Sequence, residues 1–100
     1  VAFYIYDSST QVVNISGGTY TIGQNLKIAA AYKLNDVVLY VNGVQIGTDT
    51  SAAIPATTSM RLGVYPALPT TELYMSNNVN QTLLFTTRLT NAQLAELTTI

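Results

Sequence analysis

The sequence has no cysteine, no histidine and no tryptophan, and only nine of its 100 residues are charged. Each absence excludes a chemistry. Without cysteine there is no disulfide framework, no thiolate zinc site and no thiol nucleophile. Without histidine the Ser-His-Asp and Cys-His constellations and imidazole metal sites are unavailable, and a general base would have to come from elsewhere. The four basic residues, Lys27, Lys33, Arg61 and Arg88, are too few and too scattered to track a phosphate backbone. With a net charge of −1, neither nucleic acid nor an anionic membrane is an expected partner. No apolar run approaches the roughly eighteen residues of a membrane span, and no signal-peptide pattern is visible.

What is present is uncharged polarity. Fifteen Thr, eight Asn, six Ser and five Gln give a surface of hydroxyls and amides rather than ions. Low charge normally risks poor solubility. It suits a domain held inside an assembly, or one exposed to variable salt, where ion pairs would be screened. Abundant Thr and Val also favour strands over helices. The length allows one domain, residues 1–100. The chain opens at Val1 inside an apolar run, which reads as a point within a longer polypeptide; a trimmed or processed terminus is the alternative.

Most segments read as short strands separated by turn chemistry. Val1 to Tyr6 and Gln11 to Ile15 flank the turn cluster Asp7-Ser-Ser-Thr10 and form a hairpin closed by Ser16-Gly17-Gly18. Thr19 to Asn25 is irregular, with a short strand around Tyr20 and Ile22 as the alternative. Leu26 to Lys33 holds three alanines but is short, and alternation makes it a strand, with Ile28, Ala30 and Tyr32 on one face and Lys27 and Lys33 toward water. Asn42-Gly43, between Val37–Val41 and Val44–Ile46, is the preferred two-residue hairpin turn, because both central residues need positive φ. Thr48 to Ser59 is a polar linker, Met60 to Val64 a strand, and Tyr65 to Asn80 a long loop with a short strand near Glu72 to Met75. Gln81 to Arg88 is a late strand. Thr90-Asn-Ala-Gln93 then fits a capping box, with Leu89 and Leu94 as a hydrophobic staple, and opens a short helix whose Leu94 and Leu97 should pack on the sheet.

These residues resemble a known pattern. The strand Lys27 to Lys33, the Leu39-Tyr-Val-Asn-Gly43 hairpin, Gly47-Thr-Asp-Thr-Ser51, Met60-Arg-Leu-Gly63 and Thr87-Arg-Leu-Thr-Asn-Ala-Gln-Leu94 are similar to the C-terminal portion of concanavalin A-like lectin or laminin-G-like domains. The ending looks like copies found in bacteriophage tail-fibre and head-fibre proteins. The resemblance covers most of residues 26–100. It implies an all-β fold, an antiparallel jelly-roll β-sandwich with one short C-terminal helix, in a virion protein. Family domains are longer than this chain, so strands from an N-terminal portion are expected to come from neighbouring chains or from the same polypeptide.

Catalysis is not expected. Hydrolases of such sandwiches need paired carboxylates, and Asp7, Asp36, Asp49, Glu72 and Glu96 present no pair at i, i+2 or i, i+4. The Glu-x-Asp-x-x-Glu motif of laminarinase-like relatives is missing. No cofactor is implied. Asp49, beside Thr48 and Thr50, falls short of the about six to eight oxygen ligands that calcium takes, so an Asx turn is the better reading and no metal site is expected. Tyr4, Tyr6, Tyr32 and Tyr40 lie in strands, where half-buried packing with a hydrogen-bonded hydroxyl is the simpler role. Tyr65 and Tyr74, with Asn77 and Asn78, combine aromatic faces and amide groups as sugar recognition requires; a loop tucked over a sheet edge or into a subunit contact explains them equally well. Asn14-Ile-Ser and Asn80-Gln-Thr match glycosylation sequons that arise readily by chance.

Three functions follow as expectations. One is a non-enzymatic fibre or spike-tip module of a virion, homotrimeric, binding host-surface polysaccharide. Another is a decoration or assembly module contacting only other virion proteins. The third is a carbohydrate-binding module of a larger enzyme.

Overall fold

A computed structural model of the protein describes residues 1–57, 59–67, 71–74 and 78–100, with backbone alone for 64–67 and 71–74. Among the described residues there are seven strands and one helix: β1 (Ala2–Asp7), β2 (Thr10–Ser16), β3 (Ile28–Lys33), β4 (Asp36–Val41), β5 (Val44–Asp49), β6 (Val64–Ala67), β7 (Thr71–Tyr74) and α1 (Asn91–Leu97). All pairings are antiparallel, in a β1-β2 ribbon, a β3-β4-β5 sheet and a β6-β7 ribbon. The expected antiparallel β character and short C-terminal helix are therefore present.

The central strand explains the layering. Every residue of β4 from Val37 to Val41 is buried, as a strand covered on both faces requires, and successive side chains point opposite ways. Val37 and Leu39 join Ile5, Val13, Ile15 and Ala52 in a core between the sheet and the β1-β2 ribbon. Val38 and Tyr40 join Ala31 and Leu94 in a second core beneath α1. In β3, Ala30 faces the first core and Ala31 the second, while Ile28 and Tyr32 stay largely exposed. Tyr32 still meets Phe3 of β1, with ring centroids 6.2 Å apart.

Two bulges adjust this packing. The β1-β2 register skips Val12 and the β4-β5 register skips Ile46, so each strand carries an extra residue that tightens its twist. Both displaced residues pack on the first core. Ile46 lies under Gly17 and Gly18, and Gly47 lets β2 and β5 approach so closely that a Cβ there would sit 2.8 Å from Ile15 Cγ2.

The helix begins as its capping box dictates. Thr90 Oγ1 accepts from Gln93 N–H (3.2 Å) and Gln93 Oε1 accepts from Thr90 N–H (2.9 Å). Leu89 and Leu94 share the second core. Thr90→Ala removes one half of this exchange and is expected to lower stability by about 1 kcal/mol, measured by urea unfolding. Leu97 does not pack on the sheet as expected. In this seven-residue helix, Thr98 is the residue buried at the C-terminal end, and Leu97 faces outward.

Other expectations are corrected. Met60 to Val64 is not a strand: the chain bends at Leu62–Gly63, where Gly63 has a φ of +67°, and β6 starts at Val64. Gln81 to Arg88 is not a strand either. It makes no ladder with a described strand and bends at Thr86–Thr87, and strand propensity needs cross-strand partners to be realised. The polar linker starts late, since Thr48 and Asp49 complete β5. It is also anchored, because Ala52 is buried and its carbonyl accepts from Asn35 N–H. The loop from Tyr65 to Asn80 carries the paired β6 and β7; Met75, at the end of the strand expected there, lies outside the described residues.

Candidate functional site

Two surfaces compete as the working site. The first is the β6-β7 ribbon, which carries Tyr65 and Tyr74. Its register pairs Tyr65 with Leu73 and Val64 with Tyr74. Paired residues share a face and neighbours alternate, so the two tyrosines occupy positions on opposite faces of the ribbon. Asn78 is exposed beyond β7, and Asn77 lies outside the described residues.

The second surface is apolar. Leu83, Leu84 and Phe85 expose 56, 71 and 49 % of their surface in the run before α1. Phe85 continues into an open groove of about 390 Å³ lined also by Leu89, Gln93, Glu96 and Leu97. Gln93, Glu96 and Leu97, spaced three and four apart, lie along one stripe of α1. The sequence carried no signal for this groove: Leu97, three positions after the buried Leu94, is its helical neighbour and read as a second sheet-facing residue.

Arg88 fixes where the apolar run ends. Its guanidinium donates to Asp36 Oδ1 (2.9 Å), Asn91 Oδ1 (3.0 Å) and the Leu89 carbonyl. The run is thereby tied to the β3-β4 turn, with the chain turned directly into α1.

The remaining candidates are structural. Asn42 (φ +50°) and Gly43 (φ +82°) form the two-residue turn. Tyr40 is buried with its hydroxyl donating to Gln45 Oε1 (3.2 Å), and the Tyr6 hydroxyl accepts from Gln11 Nε2 (3.0 Å). Asp49 closes an Asx turn, accepting from Ser51 N–H (2.9 Å) and Ser51 Oγ (3.3 Å).

Among the described residues no three acidic side chains gather as a metal site. Asp7 ends β1, Asp36 is held by Arg88, Asp49 caps its turn and Glu96 borders the groove. No described helix is long and apolar enough to cross a membrane.

No family model, curated protein or solved structure shows a significant match to this chain. The geometry of the two surfaces therefore carries the functional argument.

Proposed function

We propose that this chain is a non-enzymatic structural module of a bacteriophage virion fibre, a lectin-like jelly-roll unit whose apolar surface is covered by other copies of itself. The observation that carries the reading is a run of large apolar side chains left on the surface: Leu83, Leu84 and Phe85 are all exposed, beside a groove bordered by Leu89 and Leu97. Such an apolar, β-branched-flanked run is one that a neighbouring strand or helix would cover.

A near-neutral surface fits the same reading, since few charges have to be desolvated when copies meet. The fibre setting and its threefold axis rest on the motif resemblance of residues 26–100; a cyclic axis closes such an interface without leaving an open end.

Light scattering coupled to size exclusion tests the assembly. A trimer mass is expected for the intact protein, and Leu84→Asp is expected to shift it to monomer. A wild-type monomer at every concentration would overturn the reading.

Contact with host-surface polysaccharide is a second reading, favoured by Tyr65 and Tyr74 lying on a ribbon that pairs with neither other sheet. A glycan array probed with the intact protein, giving no signal, excludes it while leaving the structural role standing.

A further inference from the structure

The hairpin turn Asn42-Gly43 does more than reverse the chain. Asn42 N–H donates to the Lys27 carbonyl (2.9 Å), and Asn42 Oδ1 accepts from Lys27 N–H (2.9 Å). On the other side, Gly43 N–H donates to Thr98 Oγ1 (3.0 Å). Thr98 is only 2 % exposed, and its hydroxyl donates in turn to the Leu94 carbonyl (2.8 Å). Lys27 Nζ donates to the Thr99 carbonyl (2.9 Å). The end of α1 is thus clasped over the turn.

An asparagine followed by glycine carries a latent reaction. The glycine amide nitrogen, once deprotonated, attacks the asparagine side-chain carbonyl carbon and forms a five-membered succinimide. The N–Cγ bond forms as the Cγ–Nδ2 bond breaks, and ammonia departs with the proton. Water then opens the ring at either carbonyl, leaving aspartate or isoaspartate. Glycine favours the attack because no Cβ obstructs it.

In this fold the two reacting groups are engaged by different partners. The Asn42 amide oxygen is directed at Lys27, and the accepted hydrogen bond polarises its carbonyl toward attack. The Gly43 nitrogen is tied to Thr98, with its proton engaged in a partly buried bond. The electrophile is primed and the nucleophile is restrained.

We infer that Asn42-Gly43 is a deamidation site gated by the end of α1, with the Thr98 hydroxyl as the restraint. When α1 lifts, Gly43 N–H is freed and the reaction proceeds. Isoaspartate then adds a backbone methylene to a two-residue turn and shifts the register of β4 against β5, so the modification is irreversible damage to the hairpin. Aspartate leaves the turn length unchanged and keeps an acceptor opposite Lys27 N–H.

The test is incubation of the intact protein in mildly alkaline buffer made with ¹⁸O-water, followed by peptide mass spectrometry across residues 34–61. The folded wild type is expected to deamidate at Asn42 more slowly than the same protein in urea. Thr98→Val keeps the side-chain shape and loses the hydroxyl; its rate should rise about two- to tenfold, the worth of one hydrogen bond, beyond what its measured unfolded fraction supplies. Thr98→Ser should restore the wild-type rate. Lys27→Met, on the exposed side of the clasp, provides a second variant that loosens α1 without touching Thr98, and its rate should also rise. Equal rates in folded wild type and both loosened variants would overturn the gate. Absence of ¹⁸O at residue 42 even in urea would overturn the site.

Discussion

Leu39→Ala is expected to lower the unfolding free energy by about 2–5 kcal/mol, with the value in the upper half of that range. Leu39 is 1 % exposed and sits at the middle of β4, surrounded by Ile5, Val13, Ile15 and Ala52. The cost of such a truncation depends on whether the site can collapse onto the void. Here it cannot easily do so, because β4 is held by ladders to β3 on one side and β5 on the other, and the β1-β2 ribbon is held above it by its own ladder. Against a total stability of about 5–15 kcal/mol for a domain, a loss of that size leaves a marginal protein. Urea unfolding should show a lower midpoint with an unchanged slope. A loss under about 1 kcal/mol would mean that the ribbon does not cover this face of the sheet.

The contrast with Leu84 separates core from interface. Both are leucines in β-prone runs, and the sequence marks both as strand residues. Leu39 is buried by two layers of its own chain, whereas Leu84 is 71 % exposed. Leu84→Ala should therefore leave monomer stability nearly unchanged and weaken the proposed assembly, the reverse of the Leu39 result.

The legible parts of this fold were those decided locally. Asn42-Gly43 requires two positive φ angles and has them; Thr90 and Gln93 exchange the two bonds their spacing allows; Asp49 reaches the Ser51 amide. The β-prone runs Val1 to Tyr6 and Gln11 to Ile15 around a polar turn were sufficient for the first hairpin. What local rules cannot supply is the partner. Gln81 to Thr87 has the composition of a strand, yet strand formation depends on a neighbouring edge, and no described strand pairs with it. Ala52 lies in a segment that reads as linker, and its burial follows from the tertiary packing that brings it against Ile15, Val37 and Leu39 in the first core. The candidate site divides in the same way: turn and cap residues were legible, whereas the groove beside Phe85 and Leu97 follows from which face of α1 meets the sheet.

Gly47→Ala tests the closeness of the two layers, and its sign should depend on a second residue. In a strand, alanine is ordinarily better than glycine by about 0.5–1 kcal/mol, because glycine loses more backbone freedom on folding. At Gly47 the opposite is expected, a destabilisation of about 1–3 kcal/mol from overpacking. The added Cβ would lie 2.8 Å from Ile15 Cγ2. That methyl group is one bond from a branched Cβ, so it cannot swing aside without leaving its rotamer well or moving β2. Ile15 is itself buried among Ile5, Val13 and Leu39, which leaves it no vacant direction. The clash and the propensity are separated by a double-mutant cycle with Ile15→Ala. In that background the obstructing methyl is gone, and Gly47→Ala should become neutral or stabilising. If Gly47→Ala destabilises both backgrounds equally, the penalty lies in the backbone of the β5 bulge rather than in the contact between β2 and β5.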